Sequence, residues 1–425
     1  MQELLKKLDL PRIDEANQQA VDRMLKAEPV LLDFRPACDV IPDMGESMIL
    51  HAGPPVEWEE RSTPQKGAII AAALIEGWAD SPEEAEQMAA DGEFELAPCH
   101  HHNTVGSMAG IISPSIPVWV VKNQTNGNFG FSTLESDLSF GGYSEPIINE
   151  IKWQIDVLQP ALSKALANSD GIAVNPVIAK GLHMGDDCHQ RFEGCTYIFT
   201  NALFELMLKA GMGPEEIGRV FPFLDSHRML GLGICMAAAK TVADAAKNVP
   251  FSSLVTSIAR NGTECGIRVS ALGDKWFTGP SCAMQENAIY FAGYSPSDAC
   301  PDMGDSAITE TIGLGGSCIV TGPTHWPLFG PKPWEKVLAA QKEMWAVTLR
   351  EHPLFTIPQL EFKGSALGFD IRKVVQTGFT PVLSTAIAGR QRKDLGVMIG
   401  AGISRVPMQA FEKALQAFAA NIGVI

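Results

Sequence analysis

Apolar residues follow two alternating patterns along the chain, short continuous runs and longer stretches that repeat every three or four positions. The short β-branched runs predict buried strands, and the repeating stretches predict amphipathic helices. Early in the chain, strands are predicted at 29–34, 47–51 and 111–121, and helices at 13–28, 67–78 and from Pro82 to near Gly92. The last helix is predicted to open with a capping box, Ser81-Pro82-Glu83-Glu84. This alternation of strand and helix predicts an α/β domain over residues 1–150.

The pattern changes in the middle of the chain and then changes back. Helices are predicted at 197–208, from Pro214 onward, at 228–247 and at 251–260, whereas the last third has a strand at 381–386 and helices at 334–349 and 407–420. The predicted fold class is therefore α/β of the mixed α+β kind. Its predicted domains are an α/β domain at 1–150, a mainly helical middle domain at 151–290 and an α/β domain at 291–425.

Composition narrows the class of protein. The chain has 425 residues, 46% of them apolar and 19% charged, as in a well-packed globular protein. Its formal net charge of −16 argues against a nucleic-acid partner or an anionic membrane surface. Nine scattered cysteines without a signal peptide predict reduced thiols and a cytoplasmic location. The most apolar helix, at 229–239, is too short to cross a membrane.

The densest polar cluster is Cys99-His100-His101-His102-Asn103, which immediately precedes the predicted strand 111–121. If the cluster is extended, His100 and His102 share one face, and Cys99 and His101 share the other. A pair of imidazoles can transfer protons, hold an anion or ligate a metal. Single histidines are usually structural, but three in a row predict a functional cluster.

A second cluster follows at 183–191. If it is helical, Asp186 and His189 lie on one face, where a carboxylate would orient the imidazole. Arg191 offers a guanidinium suited to a carboxylate or phosphate. The alternative is a solvated helix start with acidic residues in its first turn. Ligand type alone also allows a metal site made of His100, His102, Asp187 and His189, although the spacing is not diagnostic.

A third cluster lies around Arg260-Asn261-Gly262 and Arg268. The two arginines could clamp an anion, and the glycine would allow close approach of a ligand. The alternative is a helix end with Gly262 as its left-handed cap. The run Gly313-Leu314-Gly315-Gly316 could cradle a phosphate, but it lacks a Walker lysine. From these residues alone the chain is an α/β protein with a histidine-rich, arginine-lined anion site.

Several longer motifs carry a resemblance to a known family. The chain resembles the bacterial YahG/YlbE proteins, long described as a domain of unknown function, from about Pro29 to Leu415. The motifs that carry the resemblance are Leu50-His51-Ala52-Gly53-Pro54-Pro55, Pro98-Cys99-His100-His101-His102, Ser113-Pro114-Ser115, Met184-Gly185-Asp186-Asp187-Cys188-His189, Arg260-Asn261-Gly262-Thr263, Gly304-Asp305-Ser306-Ala307-Ile308-Thr309-Glu310-Thr311 and Ile399-Gly400-Ala401-Gly402-Ile403.

The resemblance implies a subunit of an oxamate carbamoyltransferase in allantoin breakdown, which converts oxalurate and phosphate into oxamate and carbamoyl phosphate. It implies an FdrA-type partner subunit, a homo-oligomer, small anionic substrates and no cofactor, although a divalent metal is possible. Two alternatives stay open, a metal-dependent hydrolase of an amide or ureido acid with His100, His102 and His189 as ligands, and a non-catalytic scaffold subunit.

The expected residue roles follow from that chemistry. Carbamoyl transfer needs donors for an oxyanion and a proton for the leaving nitrogen. The expected catalytic residues are His100, His101, His102, Asp187 and His189, with Asp187 orienting His189. The expected substrate-binding residues are Cys99, Asn103, Arg191, Arg260, Asn261 and Arg268.

Overall fold

The computed structural model describes residues 1–167, 169–390 and 396–425, which form helices and several small sheets. This arrangement confirms the mixed α and β class predicted from the sequence. Within these ranges, no helix is long enough and apolar enough to pass through a bilayer.

Most helices lie where the periodicity predicts them. In chain order the α-helices are α1 (Gln2–Lys7), α2 (Pro11–Leu25), α3 (Ala37–Val40), α4 (Thr63–Glu76), α5 (Pro82–Asp91), α6 (Glu145–Trp153), α7 (Gln159–Ala167), α8 (Val174–His183), α9 (Glu193–Lys209), α10 (Pro214–Ser226), α11 (Leu230–Ala245), α12 (Ile308–Thr311), α13 (Pro333–Val347), α14 (Ile371–Thr377) and α15 (Met408–Asn421). A π-helical turn, Gln154–Leu158, joins α6 to α7.

In the part of the chain that the structure describes, the strands are short and belong to five small sheets. In chain order they are β1 (Pro29–Pro36), β2 (Met48–His51), β3 (Glu95–Pro98), β4 (Pro117–Asn123), β5 (Phe129–Thr133), β6 (Ile172–Ala173), β7 (Val255–Asn261), β8 (Glu264–Val269), β9 (Phe277–Pro280), β10 (Ile289–Tyr290), β11 (Met303–Gly304), β12 (Thr348–Ile357), β13 (Lys363–Phe369), β14 (Val382–Ala388) and β15 (Met398–Arg405).

Four of these sheets position the candidate site. The N-terminal sheet has the order β5-β4-β1-β6 and is antiparallel throughout. A second antiparallel sheet has the order β11-β7-β8-β9, and β14 pairs with β15 in a third. The parallel pair β2 and β3 delivers the chain directly to the histidine cluster, because β3 ends at Pro98.

Helix α5 shows how closely local sequence determines its own boundaries. The Ser81 hydroxyl accepts a hydrogen bond from the Glu84 backbone N–H at 3.2 Å, and the Glu84 side chain accepts one from the Asp80 N–H. Pro82 occupies the first turn, and Gly92 ends the helix in the left-handed conformation with φ +71°. The predicted capping residues therefore act as expected.

The core is built around helix α11, which packs against β4 and β5 and is buried along nearly its whole length. Gly233 allows close approach, since a Cβ there would lie 2.2 Å from the Thr133 carbonyl oxygen and 2.9 Å from Trp119. Trp119 itself packs on Phe34 with ring centroids 4.3 Å apart. This apolar cluster draws side chains from all three predicted domains; the domain boundaries themselves stay predictions.

Two predicted elements are wrong. Residues 251–260 were expected to form a helix, but residues 255–261 form the fully buried strand β7. Gly262, with φ +85°, lies in the turn to β8 and does not cap a helix. The predicted strand 111–121 begins only at Pro117, and the preceding segment makes an isolated bridge between Ile112 and Leu50.

Candidate active site

The histidine cluster forms a single 3-10 turn, Cys99–His102, that ends at Asn103 in the left-handed conformation with φ 56°. The turn separates the three imidazoles instead of pairing them on a strand face. His100 is buried, His101 is exposed, and His102 is partly buried with Nδ1 3.4 Å from the Pro42 carbonyl oxygen. The extended geometry considered from the sequence is therefore wrong.

His100 lies in a fully buried polar group. Its Nδ1 is 3.3 Å from the Ser257 hydroxyl, and its Nε2 is 3.7 Å from Asp305 Oδ1 without a hydrogen-bond partner in the described chain. Its carbonyl oxygen accepts from Arg268 Nη1 at 3.1 Å and from Lys240 Nζ at 3.5 Å. Burial and the two cations lower the pKa of His100 well below its ordinary value, so the imidazole is neutral at pH 7.

Asp305 is the acidic member of this buried group. Its carboxylate accepts from the Gly53 N–H at 2.8 Å and from the Gly106 N–H at 3.2 Å. Burial raises the pKa of Asp305 to about 7, although both N–H donors oppose the rise. Burial lowers the pKa of Lys240 to about 8, against the attraction of Asp244. The group can therefore exchange a proton near neutral pH.

Cys99 and Asn103, predicted to bind substrate, make contacts within the protein. The Cys99 thiol donates to the Gly110 carbonyl at 3.2 Å, and burial raises its pKa well above the ordinary value. The Asn103 carbonyl accepts from the Phe131 N–H at 3.1 Å. Both contacts fix the turn that carries the histidines.

The segment 185–191 is an irregular loop, so the predicted helical pairing of Asp186 with His189 is wrong. Asp187 Oδ1 accepts the backbone N–H groups of His189, Gln190 and Arg191 at 2.9–3.0 Å, and its Oδ2 lies 3.2 Å from His325 Nδ1. Burial would raise the pKa of Asp187, but His325 and the N–H donors outweigh burial and lower it. Asp187 therefore fixes the loop backbone and not the His189 ring.

The His189 ring is held by residues that lie far along the chain. Its Nδ1 is 2.6 Å from Glu310 Oε1, and its Nε2 is 2.8 Å from the Ser306 hydroxyl. Because a carboxylate only accepts, Nδ1 carries the hydrogen, and Nε2 accepts from Ser306. Ser306, His189 and Glu310 thus form a hydroxyl–imidazole–carboxylate triad, which is the arrangement that activates a nucleophile.

Gly315 allows this triad to close. Its φ is +55°, and a Cβ at this position would lie 2.3 Å from Glu310 Oε1 and 2.8 Å from His189 Cβ. Its N–H donates to the Asp187 carbonyl at 2.7 Å. The glycine run considered as a phosphate cradle therefore packs around the carboxylate of the triad.

A cavity of about 80 Å³ opens beside the triad. Ser306 and His189 line it together with Ser107 and Gln190, and the rest of its wall is mostly apolar. The Ser107 hydroxyl donates to Glu135, whose pKa burial raises to about 7. The cavity therefore places the serine–histidine pair in a largely dry environment, where charge interactions are stronger than in water.

The chain segments around Ser107 and Ser306 lie side by side. Ser107 bridges Gly304, and the Asp305 N–H donates to the Gly106 carbonyl at 2.8 Å. Asp305 belongs to the buried group around His100, whereas its neighbour Ser306 belongs to the triad. One short backbone segment thus joins the first-third histidines to the triad.

The predicted anion-binding arginines already have protein partners. Arg260 pairs with both Asp302 oxygens at 3.1 Å and donates to the Gly304 carbonyl at 2.6 Å. Arg191 donates to the Gly185 carbonyl and to Glu193. Within the described ranges, no hydrogen bond or ion pair joins Arg191 to His100, His101 or His102.

Arg268 and Asn261 have equally local contacts. Arg268 Nη2 forms an ion pair with Asp274, and the guanidinium carbon lies 5.1 Å from the Trp276 ring centroid. Both Nε and Nη2 are buried without a hydrogen bond in the described chain. Asn261 Oδ1 accepts the N–H groups of Thr263 and Glu264, closing the β7–β8 turn. Arg268 does lie beside His100, since its Nη1 donates to the His100 carbonyl. The sequence predicts that histidines and arginines line one site, and this pair is an instance of such a contact.

Among the described residues, one group of three potential ligands lies within metal-binding distance, and it is not the predicted one. It consists of Cys188, Cys195 and Cys235, all buried, with the Cys188 and Cys195 sulfurs 3.5 Å apart. Thiolates of this kind suit soft ions such as Zn²⁺ or Cu⁺. His100, His102 and His189 do not come close enough to share an ion within the same residues.

A second, larger cavity of about 360 Å³ lies beside the β2–β3 pair, with Phe94 and Leu96 in its wall. His51 and Arg61 line it, and the Arg61 Nε and Nη1 atoms are buried without hydrogen-bond partners in the described chain. Burial lowers the pKa of Arg61 to about 10 and that of His51 to about 3. Neither residue was among the sequence candidates, although His51 belongs to a motif that carried the resemblance.

Comparison with known proteins supplies the family. A sequence model of the family described as "Oxamate carbamoyltransferase subunit AllG" matches residues 94–306. The chain is 39% identical over 419 residues to the protein of that name from Escherichia coli K12, covering 97% of this chain and 99% of the relative. The chain belongs to the AllG family.

Two further relatives agree with this assignment. The uncharacterized protein YahG of Escherichia coli K12 is 41% identical over 418 residues, covering 97% of this chain and 87% of YahG. A crystal structure of a conserved protein of unknown function from Enterococcus faecalis V583 superposes with a TM-score of 0.93 at 41% identity, covering 97% of this chain and 98% of that one.

The triad of this AllG family member was only partly visible in its sequence. His189 was predicted as catalytic, but Ser306 and Glu310 were not, although both lie in the segment 304–311 that carried the family resemblance. The signal was a run of polar residues, Asp-Ser and Thr-Glu-Thr, that is fully buried in the structure. Buried polar residues need partners, so such a run indicates a site.

Proposed function

We propose that the chain is a subunit of an oxamate-type carbamoyltransferase that converts oxalurate and phosphate into oxamate and carbamoyl phosphate. Membership of the AllG family supports the system to which the subunit belongs. The geometry of the triad supports a catalytic role for this chain within that system.

Transfer of a carbamoyl group makes two demands on the protein. The leaving oxamate nitrogen must receive a proton, and the hydroxyl that attacks the carbonyl carbon must lose one. The observation that carries the proposal is the His189 ring, held at Nδ1 by Glu310 with Nε2 directed at Ser306 beside a cavity. An imidazole fixed in one tautomer can accept and return a proton in turn.

The buried group around His100 gives a second proposed role. His100 Nε2 has no hydrogen-bond partner in the described chain, and the Asp305 carboxyl beside it titrates near pH 7. We assign this pair to proton storage next to the triad, since Asp305 directly precedes Ser306. Cys99, Asn103, Asp187, Arg260 and Asn261 support the site through the contacts described above.

The small volume of the cavity beside the triad supports a requirement for a partner subunit. Sites for small molecules usually have volumes of about 300–1,000 Å³, whereas the cavity beside the triad has about 80 Å³. Oxalurate and phosphate together need more room, so the proposed reaction requires the site to open. An FdrA-type subunit that docks here would supply that opening and the remaining substrate contacts.

The decisive experiment measures phosphate-dependent formation of carbamoyl phosphate from oxalurate. The chain, an FdrA-type subunit and the mixture are assayed separately, and we expect activity in the mixture. His189→Asn should lower turnover about a thousandfold or more, because removing one member of a triad has effects of this size. His183→Asn, on the exposed end of α8, is the matched control.

Two outcomes would contradict the proposal. Absence of carbamoyl phosphate from every mixture, with all proteins folded, would remove the reaction. Full activity of the mixture with His189→Asn would remove the catalytic role and favour the scaffold alternative.

A further inference from the structure

Ser306 has the contacts of a nucleophile and not only of a hydrogen-bond donor. We propose that Ser306 attacks the carbamoyl carbon and carries the carbamoyl group as an O-carbamoyl ester before phosphate receives it. This inference rests on the proposed function for its substrate, but the reactivity of Ser306 can be tested without that substrate.

The first support is the order of the hydrogen bonds. Glu310 is fully buried, and its Oε1 also accepts the Gly316 N–H at 3.1 Å, while Thr309 Oγ1 donates to its Oε2 at 3.1 Å. These contacts fix the carboxylate that holds His189. Among the described residues, the His189 Nε2 lone pair has one hydrogen-bond partner, the Ser306 hydroxyl at 2.8 Å. A base at this distance removes the hydroxyl proton as the oxygen attacks.

The second support is access combined with exclusion of water. Ser306 is 4% exposed and lines the cavity of about 80 Å³. That volume has room for a group of three heavy atoms such as a carbamoyl group, since about 10–15 Å³ of accessible space is enough for one water. Phe140, Phe192 and Met229 form part of the wall. A carbamate ester held there is protected from hydrolysis until phosphate arrives.

The first half-reaction balances without any further reactant. Ser306 Oγ forms a bond to the carbamoyl carbon of oxalurate as its proton passes to His189 Nε2. The tetrahedral centre then breaks its C–N bond, and His189 returns the proton to the nitrogen, so that oxamate leaves. The products are oxamate and O-carbamoyl-Ser306.

The second half-reaction reverses the proton movement. The hydroxyl of hydrogen phosphate attacks the ester carbon as its proton passes to His189. The C–Oγ bond then breaks, and the proton returns to Ser306. Carbamoyl phosphate leaves, and the enzyme is regenerated. In the rival mechanism His189 directs phosphate onto oxalurate in one step, and no ester forms.

Isotope exchange distinguishes the two mechanisms. The full chain with its FdrA-type partner is incubated with oxalurate and labelled oxamate in the absence of phosphate. The ester mechanism predicts that label enters oxalurate, because the first half-reaction is reversible on its own. The one-step mechanism predicts no exchange. Ser306→Ala should abolish exchange and lower turnover about a thousandfold, whereas Ser226→Ala, at the exposed end of α10, should leave both unchanged.

A substrate-independent test separates this inference from the proposed function. A fluorophosphonate probe, which reacts with activated serines, is added to the full-length chain, and the modified peptide is identified by mass spectrometry. We expect labelling at Ser306 that is lost in Ser306→Ala and reduced at least tenfold in Glu310→Gln. Labelling at Ser306 without any turnover of oxalurate would retain the nucleophile and overturn the proposed substrate.

Other results would overturn the inference itself. Turnover of oxalurate without exchange, or turnover that survives in Ser306→Ala, would exclude the ester. Absence of probe labelling at Ser306, both in the folded chain and in its complex with the FdrA-type subunit proposed to open the site, would show that its hydroxyl is not activated.

Discussion

His189 and Glu310 lie 121 positions apart in the chain, yet Nδ1 of one is 2.6 Å from Oε1 of the other. The adjacent carboxylates at positions 186 and 187 instead accept backbone N–H groups. The residue that orients the His189 imidazole is therefore not its sequence neighbour. In the proposed mechanism Glu310 is a positioning residue, since it would act on substrate only through His189.

Replacing Glu310 by glutamine should lower turnover by about two to four orders of magnitude, because an amide can stabilise the wrong tautomer of His189. Glu310→Asp should recover part of the loss, which a purely structural role would not predict. The measurements are turnover, its pH profile and the circular dichroism spectrum. Glu205→Gln, on the exposed face of α9, is the control. A Glu310→Gln protein with wild-type turnover and pH profile would contradict the role.

Gly315→Ala should disrupt the triad by contact, since its Cβ would fall 2.3 Å from Glu310 Oε1. Gly77, at the end of α4, also has a positive φ but has open space around a Cβ. Gly77→Ala should therefore show only backbone strain of about 1 kcal/mol, and Gly315→Ala a loss of stability above 2 kcal/mol together with most of the activity. Urea unfolding and turnover of both variants test the difference, and equal losses would contradict it.

Arg260→Met should lower the free energy of unfolding by about 3–5 kcal/mol, because it leaves the buried carboxylate of Asp302 without its partner. Lys164→Met removes an ion pair with Glu216 whose side chains are 47% and 38% exposed, and it should change stability by less than about 1 kcal/mol. Urea denaturation of the two variants provides the comparison. A loss below 1 kcal/mol in Arg260→Met would show that the buried pair is not structural.

Stability should depend on pH through Asp305 and Glu135. Burial raises both pKa values to about 7, from ordinary values of 3.8 and 4.5. Between about pH 4 and pH 7 these two carboxyls hold protons in the folded chain that they have released in the unfolded chain, so their contribution to the free energy of unfolding falls as pH rises through this window. The buried His51 and His100, whose pKa values are lowered, contribute in the opposite direction. The stability that the protonated Asp305 and Glu135 carboxyls contribute is fully present below their unfolded pKa values and is lost above pH 7.

Unfolding in urea at pH 5 and pH 8 tests this dependence. Going from pH 5 to pH 8, the free energy of unfolding of Asp305→Asn should change in a more favourable direction than that of the wild type, because the amide does not titrate. Asp9→Asn, in an exposed turn, should retain the wild-type difference. An unchanged difference in Asp305→Asn would contradict the assigned pKa shift.

Much of the fold was predictable because its signals are local. The cap at Ser81 and the left-handed Gly92 need only residues within α5 and its neighbours, and both were read correctly. The segment 251–260 failed because Leu254 and Ile258 have helical spacing, while a fully buried strand shows no alternation of apolar and polar positions. The Asn261-Gly262 pair that follows is also a hairpin signal, and it was read as a helix end.

The site was less predictable because its contacts are long-range. The family resemblance and the buried His100 and His189 could be anticipated, and the resemblance is confirmed. The partners of those histidines could not be anticipated. Ser257 and Asp305 become neighbours of His100, and Glu310 becomes a neighbour of His189, only when distant segments of the chain pack together. The positive charge of the arginines also suggested that they were available to bind an anion. Arg260 is instead paired with Asp302, a residue that no local sequence pattern connects to it.

The triad joins His189 to Ser306 and Glu310, and this separation along the chain has a consequence for synthesis of the protein. A nascent chain on the ribosome can complete β1 and β4 early, but the triad must wait until residue 310 has emerged and reached His189. An incomplete translation product ending before that point would contain all three clustered histidines and still lack the triad.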